Sequence, residues 1–251
     1  MKTVSEFMIE LPLLKVDDTV TKARKILRDE GFRELYVHNG KKRLAGYIDI
    51  TDVLRVQATR SNVTVDGFVK EAAMVDPCDQ VEKGARLIQK YRTDSAAVVD
   101  ESSKLLGGIL LSDIFPVIIT RNELRGKVSE VMTGKPVTCS PDDSVQKIYS
   151  MIVDSGYSAF PVVRKNRLTG VISRRDLLRE GWLRTALEQN TPVQVSDLMT
   201  KEVLTVEEDA SLSRAAEIMA DHDISFLPVV RDQIVTGIVD RHDVLKGIRL
   251  P

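Results

Sequence analysis

Apolar residues recur along this chain in two rhythms. In one stretch, Val145, Ile148, Tyr149, Met151 and Ile152 alternate steps of three and four behind the polar cluster Ser140-Pro141-Asp142-Asp143. Leu212, Ala215, Ala216, Ile218 and Met219 repeat that rhythm further on. Such spacing puts one apolar stripe on a helix, and the polar cluster ahead of it is a helix start. Short apolar runs follow the helices: Leu35-Tyr36-Val37, Ala96-Ala97-Val98-Val99, Phe160-Pro161-Val162-Val163 and Leu227-Pro228-Val229-Val230. They read as buried strands. Asn39-Gly40 behind the first is a hairpin turn. A second apolar strand containing a glycine comes next, and a final helix begins near an aspartate.

That glycine and aspartate expose an internal duplication. Val4, Val65, Val128 and Val195 stand at one constant distance before Gly46, Gly107, Gly170 and Gly237. Asp52, Asp113, Asp176 and Asp243 follow those glycines at a second constant distance. Fixed register over four copies marks a repeat architecture. The unit is β-α-β-β-α, and at about 60 residues it is small for a core of its own. Repeats are expected over 1–60, 61–120, 127–183 and 193–251. Consecutive repeats are expected to pair, 1 with 2 and 3 with 4, giving an α/β fold of the α+β kind. Ile119 to Lys127 is the module boundary. Leu183 to Gln194 is the crossover inside the second module.

Composition removes several functions. The net charge is −1 over 251 residues, and neither half of the chain is a polyelectrolyte. Nucleic-acid binding through many phosphate contacts normally needs a basic excess, so that function is disfavoured. Cys78 and Cys139 lack CxxC spacing or a histidine pair, so neither zinc nor a disulfide is expected. No run approaches the roughly 18 apolar residues of a membrane span, and the start MKTVSEFMIEL lacks a signal-peptide core. A cytoplasmic protein with no membrane partner is expected. His38, His222 and His242 have no nucleophile partner, and no acid–base pair is visible, so no enzyme activity or catalytic cofactor is expected. Trp182 is expected to pack at a module or dimer interface.

The motifs resemble those of cystathionine β-synthase (CBS) domains, which pair into Bateman modules. VSEVMT, SGYSAFPVV and LTGVISRRDLL in repeat 3 carry the likeness, as do VSDLMT, DISFLPVV and VTGIVDRHDVL in repeat 4. Repeat 2 departs most, with no proline in its first strand and Leu110 where a polar residue is expected. Four such units without an enzyme are similar to stand-alone prokaryotic CBS proteins and to the γ subunit of AMP-activated protein kinase. The resemblance implies a regulatory adenine-nucleotide ligand (AMP, ADP or ATP) in clefts between repeats, signalling to a separate regulated protein. The alternatives are an S-adenosylmethionine sensor, or a scaffold or dimerisation protein with vestigial sites.

The family's site motif, a Ser or Thr followed three residues later by Asp, is complete at Ser173-Arg174-Arg175-Asp176. A carboxylate suits the hydroxyls of a ribose, which gives Asp176 that role with Ser173 beside it. Arg174, Arg175 and the helix start suit phosphate. The resemblance places Val137, Thr138, Tyr157, Ser158, Ala159 and Pro161 around the adenine. Thr205, Ser225, Pro228, Arg241, His242 and Asp243 are their counterparts in repeat 4. Asp52 and Asp113 hold the same register, with Asp49 and Leu110 where Ser173 stands. The competing reading is structural: Ser-x-x-Asp is also a helix capping box. Two modules can close into a disc within one chain, or two chains can pair corresponding modules. The dimer is the arrangement expected first.

Overall fold

The structure, a computed structural model, describes residues 2–56, 61–189 and 191–248. Repeat 1 supplies β1 (Leu13–Lys15), α1 (Val20–Glu30), β2 (Glu34–His38), β3 (Leu44–Asp49) and α2 (Ile50–Arg55). Repeat 2 supplies β4 (Met74–Val75), α3 (Val81–Tyr91), β5 (Ser95–Val99), β6 (Leu105–Leu110) and α4 (Leu111–Arg121). Repeat 3 holds α5 (Val128–Val131), β7 (Thr133–Gly134), α6 (Val145–Ser155), β8 (Ala159–Arg164), β9 (Arg167–Ser173) and α7 (Arg174–Arg179). The crossover contains α8 (Gly181–Glu188). Repeat 4 holds β10 (Val206–Glu207), α9 (Leu212–Asp221), β11 (Phe226–Arg231), β12 (Ile234–Asp240) and α10 (Arg241–Lys246). In repeats 1, 2 and 4 the short first strand runs parallel to the next, and the hairpin that follows is antiparallel.

The repeated glycine has a steric cause. The segment after the first turn of each repeat crosses the glycine strand of its partner. Thr200 of repeat 4 pairs with Val171, so a Cβ on Gly170 would lie 2.8 Å from the Thr200 carbonyl oxygen. Reciprocally, β7 of repeat 3 pairs with Gly237 and Ile238 of β12. Lys70 crosses at Gly46 and Ile9 at Gly108 in the same way. The glycine therefore records the exchange of backbone between repeats 1 and 2 and between 3 and 4. A side chain there would have to displace backbone.

The repeated aspartate has a local cause as well. In repeats 1, 3 and 4 it is the third residue of the final helix and closes a capping box, with Asp49, Ser173 and Asp240 as the caps. Repeat 2 has Leu110 at the cap, and α4 starts without a side-chain cap.

The helices carry the contact between modules. Leu27, Ile50 and Val53 of repeat 1 share a buried core with Ile148, Ile152 and Leu177 of repeat 3. Ile88, Ile114, Phe115 and Ile118 of repeat 2 share another with Leu212, Ala216, Met219 and Val244 of repeat 4. Burying side chains of this size contributes about 1.5–3 kcal/mol each. The two modules thus close on each other within one chain, the first of the two arrangements the sequence leaves open. The helical faces that would have met a second chain are covered by the other half of the same chain. Trp182 is half-exposed within the chain, and its indole N–H donates to Glu180 at 2.7 Å.

Candidate functional site

A cleft of about 790 Å³ opens between the repeat 3 and repeat 4 hairpins, toward the centre of the four-repeat assembly. β8 and β9 bring Tyr157, Ser158, Ala159 and Ser173 to one wall, with Arg175 and Asp176 from the start of α7. β11 and β12 bring Ser225, Pro228 and His242 to the other. Tyr157 is 51% exposed and Leu204 42%, so apolar surface is presented to the cleft rather than buried in a core.

The carboxylates at the four repeat positions differ in what they have left to offer. Asp176 spends Oδ2 on the Ser173 N–H and hydroxyl, both at 2.7 Å. Its Oδ1 has no hydrogen-bond partner among the described residues. Asp243 accepts from the Asp240 N–H at 3.1 Å and from Lys246 Nζ at 2.7 Å, which occupies both oxygens. Asp52 accepts the Asp49 N–H, faces Lys70 and Arg55, and is 2% exposed. Asp113 accepts from the Ser112 hydroxyl at 3.1 Å. It lines a separate cavity of about 300 Å³ between the modules. The capping role and a ligand role coexist at Asp176 because each uses a different oxygen.

Two expected phosphate ligands are committed elsewhere. Arg174 reaches across to repeat 1, donating to Asp49 Oδ2 at 2.9 Å and Thr51 Oγ1 at 3.1 Å, and to Asp94 of repeat 2 at 3.4 Å. Arg241 is buried over the Phe115 ring and donates to Asp223 at 2.8 Å and the Met219 carbonyl. Both occupy the first helical position, which points the side chain at the other module. Arg175, one residue on, is exposed and has no ion-pair or hydrogen-bond partner among the described residues. The helix end is also largely used: Arg174 N–H donates to the Ser158 carbonyl and Asp176 N–H to Ser173 Oγ. The available cation beside Asp176 is thus a side chain, with Arg33 and Arg92 of the first module lining the same cleft.

The two halves of the cleft differ electrostatically. Burial, with Asp243 next to it, pushes the Asp240 carboxyl above the usual carboxylate range. Burial likewise lowers His242, against the pull of Asp240. On the repeat 3 side, Ser173 replaces that acid, and burial together with Arg33 lowers the Arg175 guanidinium. Among the described residues, no group of three His, Cys, Asp or Glu side chains is placed to hold a metal ion. No helix among them is long and apolar enough to cross a membrane.

A family profile for the CBS domain matches residues 4–59, 128–182 and 195–250. The chain belongs to the CBS domain family. This CBS protein is 24% identical over 256 residues to the uncharacterized protein MJ1225 of Methanocaldococcus jannaschii, covering 91% of each chain. The crystal structure of MJ1225 superposes with a TM-score of 0.83 at 21% identity, over 98% of this chain and 99% of that one. Inosine-5'-monophosphate dehydrogenase of the same organism is 33% identical over 127 residues, half of the CBS protein but only 24% of the dehydrogenase. Repeat 2, absent from the profile match, is the repeat with Leu110 at the cap and no capping box.

Of the residues expected from sequence, Val137, Thr138, Pro161, Thr205 and Asp243 are not among those that line the cleft. Sequence reasoning missed Thr133 and Thr200, which line it from the crossing segments. Their signal was present, since they share one register after Val128 and Val195. Arg33, Arg92 and Asp94 come from the opposite module and had no local signal at all.

Proposed function

We propose that this CBS protein is a non-catalytic regulatory module that binds an adenine nucleotide in the cleft of its second module and signals to a separate protein. The observation that carries this reading is the unspent Oδ1 of Asp176 on the cleft wall, beside the unpaired Arg175. The carboxylate oxygen accepts a ribose hydroxyl. Tyr157 and the Tyr157–Ala159 backbone edge flank the base. Arg175 meets the phosphate, with Arg33 and Arg92 beyond it. A cleft of this volume lies within the ordinary range for small-ligand sites. Binding regulates only insofar as the ligand prefers one arrangement of the two modules, and the cleft walls come from both.

Mass spectrometry of small molecules released from the purified protein, followed by melting curves with AMP, ADP, ATP, adenosine and S-adenosylmethionine, tests the reading. A rise in melting temperature with the phosphate-bearing adenosines supports it; no rise with any of the five rejects it. The Arg175→Ala variant is expected to lose roughly 10- to 100-fold in AMP affinity, as a charge-assisted bond would, with adenosine affinity unchanged. Equal losses for both ligands would remove Arg175 from the phosphate.

A further inference from the structure

The first module carries the same two-repeat frame as the second, yet the space between its hairpins is filled, with the cavity of about 300 Å³ at Asp113 beside it. Tyr36 faces Tyr47 across the β2–β3 hairpin. At the same places, Pro161 faces Val171 in repeat 3 and Pro228 faces Ile238 in repeat 4. Both tyrosines are buried, and they form an apolar cluster with Leu11, Ala72, Ala97 and Leu105 drawn from both repeats. The Tyr36 hydroxyl extends the closure into repeat 2, donating to Ser95 Oγ at 2.8 Å, which donates on to Glu34 at 2.6 Å. The second module has the open cleft where the first has this cluster.

The carboxylate end is closed by a cation. Lys70 crosses at Tyr47 as Thr200 crosses at Val171. Its Nζ lies 2.7 Å from Asp52 and 3.1 Å from Asp49, and 4.8 Å from the centre of the Tyr47 ring. Without it, the two carboxylates of one capping box would be left with Arg174 on Asp49 and the half-exposed Arg55 on Asp52. A threonine, the residue of repeat 4 at this crossing, offers no charge to them.

We propose that the chain occupies its own first module: Lys70 is a tethered cation seated on the repeat 1 carboxylate pair, and Tyr36 and Tyr47 fill the space of a base. A diffusible ligand then enters the second module alone, and the first serves as a fixed half whose Arg33 and Arg92, paired with Asp94 and Asp240, line that cleft. Only the location of the ligand rests on the proposed function; the closure stands on geometry.

Amide hydrogen exchange separates the two. The Tyr47 and Lys70 amides donate to each other's carbonyls at 2.9 and 2.8 Å, and the Val171 and Thr200 amides do so at 2.9 Å each. These matched bonds differ in what surrounds them. In ligand-free protein the first pair is expected to exchange at least about 10-fold more slowly, the equivalent of one partly buried tie. Lys70→Thr is expected to erase most of that difference at Tyr47 while leaving Val171 unchanged. Equal exchange in the two modules of the unaltered protein overturns the closure, whether or not the variant folds. Added AMP at millimolar concentration should protect Val171 and Thr200 only. Protection at Tyr47 and Lys70 overturns the closure. Protection nowhere counts against the nucleotide reading, while the ligand-free comparison still decides the closure.

Discussion

Asp176→Ala is expected to weaken AMP binding by roughly 10- to 100-fold in calorimetry, the equivalent of one hydrogen bond to a charged acceptor. The substitution also opens the α7 capping box, which costs about 1 kcal/mol of stability. Loss of binding must therefore be separated from loss of fold. Asp243→Ala provides the comparison, because it opens the equivalent box in repeat 4. Both its oxygens are already engaged by the Asp240 N–H and Lys246, and it does not line the cleft. Similar melting temperatures with AMP affinity lost only in the Asp176 variant would assign the ribose to Asp176. Equal affinities in both variants and the parent would remove it from the site.

The contrast between those two aspartates shows how far the sequence could be read. Register alone exposed the fourfold duplication with its shared glycine and aspartate positions, while the motif at Ser173 to Asp176 came from the family likeness. Register did so because the glycine and the aspartate answer local demands: one must let a neighbouring backbone pass, and the other must close a helix start. Such demands recur at fixed spacing in every repeat. What an oxygen has left after its local duty depends on residues from other repeats. Lys70, seated on Asp52, comes from repeat 2. Asp49 and Asp94, which capture Arg174, come from the first module. Nothing in Arg174-Arg175 distinguishes the arginine that ties modules together from the one that remains free. The two differ through helix geometry: the first helical residue reaches carboxylates of the other module, and the second lies beside Gly31 and lines both cavities. The assembly was open for the same reason, since apolar helix stripes look alike whether their cover is the same chain or a second one.

Arg174→Met is expected to be the most destabilising single change at the module seam. Arg174 is mostly buried, and two carboxylates from two repeats converge on it. Burial opposes its charge, but Asp49, Asp94 and Glu34 outweigh burial and raise its pKa, so it stays ionised. Removing one partner of a buried ionic cluster costs about 3 kcal/mol, which for a chain of this size lowers the melting temperature by roughly 6–12 °C. Asp49 retains Lys70 and Asp94 retains Arg33, which keeps the loss from being larger. The same cluster should impose a pH dependence. Burial and the neighbouring Asp94 push the Glu34 carboxyl up to about 8, from an ordinary value of 4.5. Between those values the native chain holds a proton that the unfolded chain has released, so stability falls as pH rises through the window. Glu34→Gln keeps one acceptor, for the Asp94 N–H, and turns its amide N–H toward Ser95 Oγ, while removing that proton. Its melting temperature should fall less than the parent's between about pH 5 and pH 8. Arg174 is one of the groups that lower the Glu34 pKa, so Arg174→Met should fall more than the parent. His242, lowered by burial, acts in the opposite sense, and the comparison of variant with parent cancels it. Parallel melting curves for the parent and Glu34→Gln across that range would show that Glu34 carries its charge at neutral pH, and that the seam is held by ion pairs without a shared proton.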